Sequence, residues 1–377
     1  MPTPPGRTTR LARRLPGALV RFAVASVHAA VVGAFVLGYA ARYVRPGAFT
    51  WPLQYVGIGL PYLALALAAV TVVRLRAMPR PAVWAHAALL ALAAVRFAPV
   101  PSKAGDPRPD DLSLVTFNVP MKWGMEGEEK GVRMQAFAAA ENPDVMAFQD
   151  VATWYNGDRV VVEAHLKPLV DSLGYRYAVP TAATGRYVEV PVFARVPVDT
   201  TAYRFLFRTP AEPIPTQVTE VRFRWHGRPA VLFNVHLRSY GERKPWRDPA
   251  LRLWRPATWA TYARQYRDAA RYRAWEADTL RAFVARERVP VLVTGDFNTT
   301  PHQWAYARIV GAGLQDAFAV AGRGRGATYH TRLPVVRIDY VLASPHWHVS
   351  AARLPALRLS DHWPVAVRLR WRDAPAR

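Results

Sequence analysis

The chain has 377 residues, of which 51% are apolar, 20% charged and 12% aromatic. It is too apolar for a disordered chain and too irregular for a coiled coil or collagen. No cysteine is present, which excludes disulfides, zinc–thiolate centres, iron–sulfur clusters and thiol catalysis. Lys and Arg total 50 against 27 acids, a net charge of +23. Residues 1–102 hold eleven Arg and no Asp or Glu, and no long basic run marks a nucleic-acid stripe in the rest.

Residues 1–102 read as an all-α transmembrane anchor of three helices, with spans at about 22–41, 51–73 and 81–100. Trp51–Val73 carries no charge, and about 20 apolar residues cross a bilayer core. Pro61 inside it predicts a kink. The first span is longer than a signal-peptide core and a second follows it, which favours a retained helix. His28 and His86 are expected to be packed or interfacial. Arg7, Arg10, Arg13, Arg14 and Arg21 precede the first span, and Arg74, Arg76 and Arg80 follow the second. Placing this side in the cytoplasm gives three crossings and an extracytoplasmic C-terminal portion. Residues 103–111 end a Pro-rich linker, and 112–371 form the soluble domain.

In that domain Leu112–Val119 reads as a strand with Asn118 near its end. Gly131–Glu141 has helical spacing, with Val132, Ala136 and Ala139 on one face. Asp144–Asp150 is a strand ending in Gln149 and Asp150, and Tyr187–Val198 alternates as a strand. Val218–Trp225 and Pro229–Leu237 flank His226-Gly227-Arg228, a hairpin signal. The second of these carries Asn234 and His236. Arg255–Glu287 is a long helix, and Pro290–Thr294 a buried strand that runs into Gly295-Asp296-Phe297-Asn298. Arg337–Ala343 carries Asp339, and Leu359–Pro364 (LSDHWP) precedes a final strand at Val365–Leu369. Many strands with few intervening helices fit an α+β domain with two packed sheets and outer helices. The polar strand ends then meet on one rim.

Asp150, Asp296, Asp339 and Asp361 are each tied to an apolar strand. Hard oxygen ligands of this kind suit Mg²⁺ or Mn²⁺. Asn118 and Asn298 orient carboxylates or donate to phosphoryl oxygens. His236 and His362 suit proton transfer near neutrality. Together these groups describe in-line hydrolysis of a phosphate ester. Arg186, Tyr187, Arg238 and Tyr240 are candidates for the cleft wall. The aromatic, basic stretch Tyr240–Thr258 faces substrate, a membrane or only solvent.

In order, TFNV (116–119), PDVMAFQD (143–150), FNVHL (233–237), TGDFNTTP (294–301), RIDYVL (337–342) and LSDHWPV (359–365) resemble the endonuclease/exonuclease/phosphatase superfamily, over about residues 111–371. The resemblance implies a DNase I-like four-layer α/β/β/α sandwich. It implies Asp150 as a metal ligand with Asn118 beside it and Asp361 near the metal. It implies Asp296 as the group that positions or activates water, with Asn298 holding that water or a phosphate oxygen. His362 paired with Asp339, and His236, are implied as acid, base or phosphate stabiliser. The family's second motif ends in Gln-Glu, whereas this chain has Gln149-Asp150. The expected activity is a Mg²⁺-dependent phosphoesterase integral to a bacterial inner membrane. Its partners are the bilayer and a phosphate-ester substrate, either nucleic acid or phospholipid; no protein partner is inferable. A catalytically weak membrane scaffold is the reading of another class, and the aspartate at 150 is its only support.

Overall fold

The computed structural model describes residues 7–97, 105–120, 127–151, 153–156, 159–162, 165–178, 187–207, 216–241, 244–245, 248, 254–329 and 335–372. Four helices come first: α1 (Arg7–Ala40), α2 (Trp51–Ile58), α3 (Leu60–Arg74, extended by a 3₁₀ turn Leu75–Ala77) and α4 (Arg80–Phe97). The domain opens with β1 (Leu112–Asn118), α5 (Gly127–Glu141), β2 (Val145–Gln149), β3 (Thr153–Asn156), β4 (Arg159–Val162), α6 (Lys167–Asp171) and β5 (Arg176–Tyr177). It continues through β6 (Tyr187–Val188), β7 (Val192–Ala194), β8 (Val198–Phe207), β9 (Thr216–Trp225), β10 (Arg228–His236) and α7 (Pro256–Arg286). Next come β11 (Val291–Asp296), α8 (Trp304–Val310), β12 (Gln315–Asp316) and α9 (Ala317–Ala321). The last strands are β13 (Asp339–Ala343), β14 (Trp347–Arg353) and β15 (Val365–Trp371).

Two six-stranded sheets face each other, in the orders β14-β15-β1-β2-β7-β5 and β12-β13-β11-β10-β9-β8. Side chains alternate along a strand, so each sheet has an inner and an outer apolar face. Leu114 and Ala147 of the first sheet meet Leu232, Leu292 and Val341 of the second in the inner core. Val231 and Val293 point outward against Leu280 and Val284 of α7. Phe117 and Phe148 point outward against Met134 and Ala138 of α5. The result is the expected four-layer sandwich. β9 and β10 join through His226 and Gly227 at φ 48° and 76°. Positive φ at both central residues is the tight-turn geometry that matches the strand twist.

Three local expectations change. The buried face of α5 is Met134, Phe137 and Ala138, while Val132, Ala136 and Ala139 are exposed. The i, i+3, i+4 set with the larger side chains wins because it removes more apolar area from water. The strand expected over Tyr187–Val198 splits into β6 and β7, which join different sheets. Pro191 lies at the break and supplies no N–H to a ladder. The single helix expected over 51–73 is α2 and α3, parted at Gly59. Pro61 cannot donate the bond that would continue the helix, so the expected kink is a full break.

Among the described residues two helices are long and apolar enough to cross a membrane, Leu19–Ala40 and Leu60–Ala77. The third expected segment, α4, has 18 residues but includes Arg80, His86 and Arg96. Leu19, Phe22, Val72, Val73, Trp84 and Val95 on these helices are each more than 60% exposed. His28 and His86 meet with their Nε2 atoms 2.6 Å apart.

The helical module docks on the sandwich through α2. Gln54 is buried; its Oε1 accepts from Trp304 N–H (3.0 Å) and its carbonyl accepts from Gln303 Nε2 (2.8 Å). Arg42 and Arg96 both donate to the Pro301 carbonyl, and Arg45 pairs with Asp278 at 2.9 Å.

Candidate active site

Strand register delivers the site. β1 and β2 are parallel and end together, with Asn118 opposite Gln149; Asp150 follows at once. β10 and β11 are parallel with His236 opposite Asp296. β11 and β13 are antiparallel with Asp296 opposite Asp339. Parallel neighbours stop at one edge of a sheet, so both sheets present polar ends on the same rim. Two left-handed residues turn the chain there, Asp150 at φ 62° and Asn298 at φ 46°, and Asp and Asn tolerate that region best among residues with a Cβ. At Gly295, φ is 134° and an added Cβ would lie 1.9 Å from the Val235 carbonyl oxygen. Glycine is therefore required before Asp296.

A buried amide link sets the two rims level. Gln149 Nε2 donates to Asn234 Oδ1 at 2.7 Å. Asn234 Nδ2 lies 2.8–3.1 Å from the carbonyls of Phe148, Val190 and Pro191. The sequence marks Asn234 only by its place near a strand end. Asn234→Leu should remove the bond to Gln149, whose Nε2 keeps Thr116 Oγ1 at 3.0 Å, and the one donor that these carbonyls share, at about 1–3 kcal/mol per buried group left underbonded. A melting point several degrees lower than the parent's checks this.

Asp296 is the centre of the rim. Its carboxylate accepts from Asn298 N–H at 2.7 Å, Asn118 Nδ2 at 2.9 Å and Asn298 Nδ2 at 3.2 Å. His236 Nε2 lies 3.7 Å and His362 Nε2 3.9 Å from its Oδ2. Each imidazole is backed by a carboxylate on its other nitrogen: Glu189 to His236 Nδ1 at 2.6 Å, and Asp339 to His362 Nδ1 at 3.0 Å. Burial acts to lower the His236 pKa, but Glu189, Asp296 and Asp150 outweigh it and raise it to about 10. Burial likewise acts against charge on His362, and Asp339, Asp296 and Asp361 raise it to about 9. Burial first, then Asp339, pushes the Asp296 carboxyl above the usual carboxylate range.

These groups share a pocket of about 450 Å³. Asn118, Asp150, His236, Asp296, Asn298, Asp361 and His362 line it, and Asp339 sits behind His362. Lys244 and Arg273 supply cationic groups on the wall, with Tyr240 nearby. Arg186 lies outside the described residues, as does part of the loop 240–258. Arg238 is held by its backbone, its N–H donating to Glu276 and its carbonyl accepting from Arg273.

A model of the Endonuclease/Exonuclease/phosphatase family matches residues 115–362, the stretch that carries every group just described. The chain belongs to that family. No curated protein matches the sequence. Among solved structures, a family protein from Bacteroides thetaiotaomicron is 19% identical, with a TM-score of 0.50 over 70% of this chain and 98% of the other. A protein of unknown function from Enterococcus faecalis V583 is 15% identical, with a TM-score of 0.50 over 69% of this chain and all of the other. A mannosyl-6-phosphatase from Bacteroides thetaiotaomicron VPI-5482 is 18% identical, with a TM-score of 0.49 over 69% of this chain and all of the other. As a member of the endonuclease/exonuclease/phosphatase family, the chain is a hydrolase of phosphate esters.

Enzymes of this family use a divalent metal, and the residues present fit one. Asp150, Glu189 and His236 each offer a donor atom within 4.8 Å of the others, as do Asp296, Asp339 and His362. Glu189 and Asp339 are already engaged by their histidines. That leaves Asp150, whose carboxyl is raised chiefly by burial, and Asn118 Oδ1, which is buried with no hydrogen-bond partner. A half-buried carboxylate and an orphaned amide oxygen lining one pocket are a hard-oxygen donor set. Asp361 lines the same pocket, outside both clusters.

Glu189 is the residue that motif reading misses. It follows β6, ahead of Pro191, and its N–H donates to Gln217 Oε1 at 3.1 Å. Its sequence signal is a lone acid in the apolar run YVEVPVF.

Proposed function

We propose that the chain is a Mg²⁺-dependent phosphoesterase held at the outer face of a membrane by its N-terminal helices. The observation that carries the chemistry is the Asp296 carboxylate facing two carboxylate-backed imidazoles in one pocket. Asp296 takes a proton from water as the water oxygen bonds to phosphorus. Asn298 and Asn118 hold that carboxylate in place. The His362 imidazolium stabilises charge on the phosphoryl oxygens, and His236 gives its proton to the leaving oxygen as the ester P–O bond breaks. Asp150 and Asn118 Oδ1 would hold Mg²⁺, which supplies Lewis-acid neutralisation of phosphoryl charge when bound.

The membrane reading rests on the apolar surface of α1, α3 and α4, which water would not tolerate at that extent. The contacts with the sandwich include residues 41–62, Arg96 and Phe97, while Arg74, Arg76 and Arg80 lie at the far ends of α3 and α4. Three crossings put these arginines and the N-terminus on the cytoplasmic side. At about 1.5 Å per residue, the 18 residues of α4 reach about 27 Å, close to a bilayer core.

Purified chain should hydrolyse bis-p-nitrophenyl phosphate with Mg²⁺ and lose that activity in chelator. No turnover under any divalent metal would remove the catalytic reading. A reporter fused after Arg377 should be active only outside the cytoplasm.

The acid role of His236 sets a pH dependence. Its raised pKa keeps it protonated at neutral pH, so the rate falls as pH rises through that value. Glu189→Gln removes the main group that raises it, while the burial that lowers it remains. Its pKa should fall by more than about one unit, so the ratio of the variant's kcat to the parent's should fall as pH rises. The variant should therefore approach parental rate near pH 6 and fall at least about fivefold behind near pH 10. A variant-to-parent ratio that stays constant with pH would show that His236 is not the proton donor.

A further inference from the structure

The catalytic pocket does not end at its polar wall. A second groove, about 940 Å³ in volume, opens from it between the helical module and the sandwich. Ile58, Tyr240, Tyr329 and Val336 border both spaces, so the two adjoin. Among the described residues the groove's walls carry no Asp, Glu, Lys, Arg or His, in contrast to the pocket beside it. Its far wall is Tyr62, Leu63 and Ala66 of α3, one of the helices long and apolar enough for a bilayer. The wall is fixed rather than casual: Tyr62 Oη donates to the Val335 carbonyl at 3.0 Å, and Arg325 lies over the Tyr62 ring at 5.0 Å. Gln54 and Gln303 lock α2 beside the loop that follows Asn298.

We infer that the substrate is a lipid-tailed phosphate ester, with its phosphoryl group at Asp296 and its hydrocarbon tail in the groove between α3 and the side chains of Tyr329, Val335 and Val336. This rests on the phosphoesterase reading and narrows it. A charged pocket joined to an uncharged trough fits an amphiphile, and the trough lies along the helix that meets the bilayer. A nucleic acid has a charge at every phosphate and needs cations along its path; among the described residues the groove lining offers none. A small sugar phosphate would leave it empty.

The test is a homologous series of p-nitrophenyl alkyl phosphodiesters, from methyl through butyl and octyl to dodecyl. The full chain in detergent is assayed with Mg²⁺. The parent should cleave the methyl ester, and kcat/KM should rise by up to about fourfold per methylene buried, mostly through KM. Tail partition into detergent is common to all proteins tested, so the deciding quantity is the ratio to groove variants. Ala66→Trp fills the groove and Leu63→Asp places a charge in it; neither residue lines the catalytic pocket. Both should keep the parental rate on the methyl ester and lose at least about tenfold of the gain on the dodecyl ester. Hydrolysis of the methyl ester with equal chain-length dependence in parent and variants would overturn the lipid-tail inference and leave the phosphoesterase standing. So would single-stranded DNA cleaved far faster than any alkyl ester. No hydrolysis of any homologue would overturn both.

Discussion

Asp296→Asn should lower kcat by about 10²–10⁴-fold with little change in KM, the range that follows loss of a positioned base. The substitution keeps size and shape. It removes the charge that both imidazoles face and turns an acceptor into a donor against Asn118 Nδ2 and Asn298. Asp296 is almost fully buried, and burial with Asp339 raises its carboxyl. A carboxylate made more basic in this way is better matched to taking a proton from water near neutrality. The two imidazoles should also lose proton affinity, because Asp296 is among the groups that raise both. The pH profile of residual activity should therefore narrow on its basic side. Turnover of bis-p-nitrophenyl phosphate and an unchanged far-ultraviolet spectrum check the prediction together. A folded variant with parental kcat would show that Asp296 is not the base.

The parts legible in the sequence are those where one residue type can satisfy a local need. Gly295 is demanded by a backbone that leaves no room for a Cβ. Polar residues that close apolar strands, such as Asn118 and His236, announce a rim. The family resemblance rests on the same positions, and the family model ends at His362, the last of them. What the sequence hides is the work of tertiary contacts. Hydropathy alone cannot tell a helix that faces lipid from one that docks on a domain, and α2 is apolar for the second reason. Gln54 is the cue, a lone amide whose bonds reach Gln303 and Trp304, some 250 residues on. The buried face of α5 follows from which side chains the sheet can cover, not from periodicity alone. Glu189 stands outside every motif, and its role becomes visible only when β10 brings His236 to it.

On the proposed reading Asp150 is the charged ligand of the metal. Asp150→Asn should raise the Mg²⁺ concentration for half-maximal activity by at least about 10–100-fold, a loss seen even when groups behind a ligand are removed. Shape and the left-handed backbone, which Asn also tolerates, are kept, so the effect isolates the charge. A second readout needs no catalysis. A ligand that binds only the folded state raises stability by RT ln(1 + [L]/Kd), about 2.7 kcal/mol at a hundredfold excess over Kd. Mg²⁺ should raise the melting point of the parent and leave Asp150→Asn unmoved. Asp150→Glu tests the reach. Glutamate adds one methylene and keeps the charge, but at φ 62° it is less at ease than aspartate. It should keep the metal response, with activity within about tenfold of the parent, and melt lower in the absence of metal. If the parent melts at the same temperature with and without Mg²⁺, Asp150 and Asn118 do not form the cation site. The family's glutamate would then have been replaced because this chain places its metal elsewhere in the pocket.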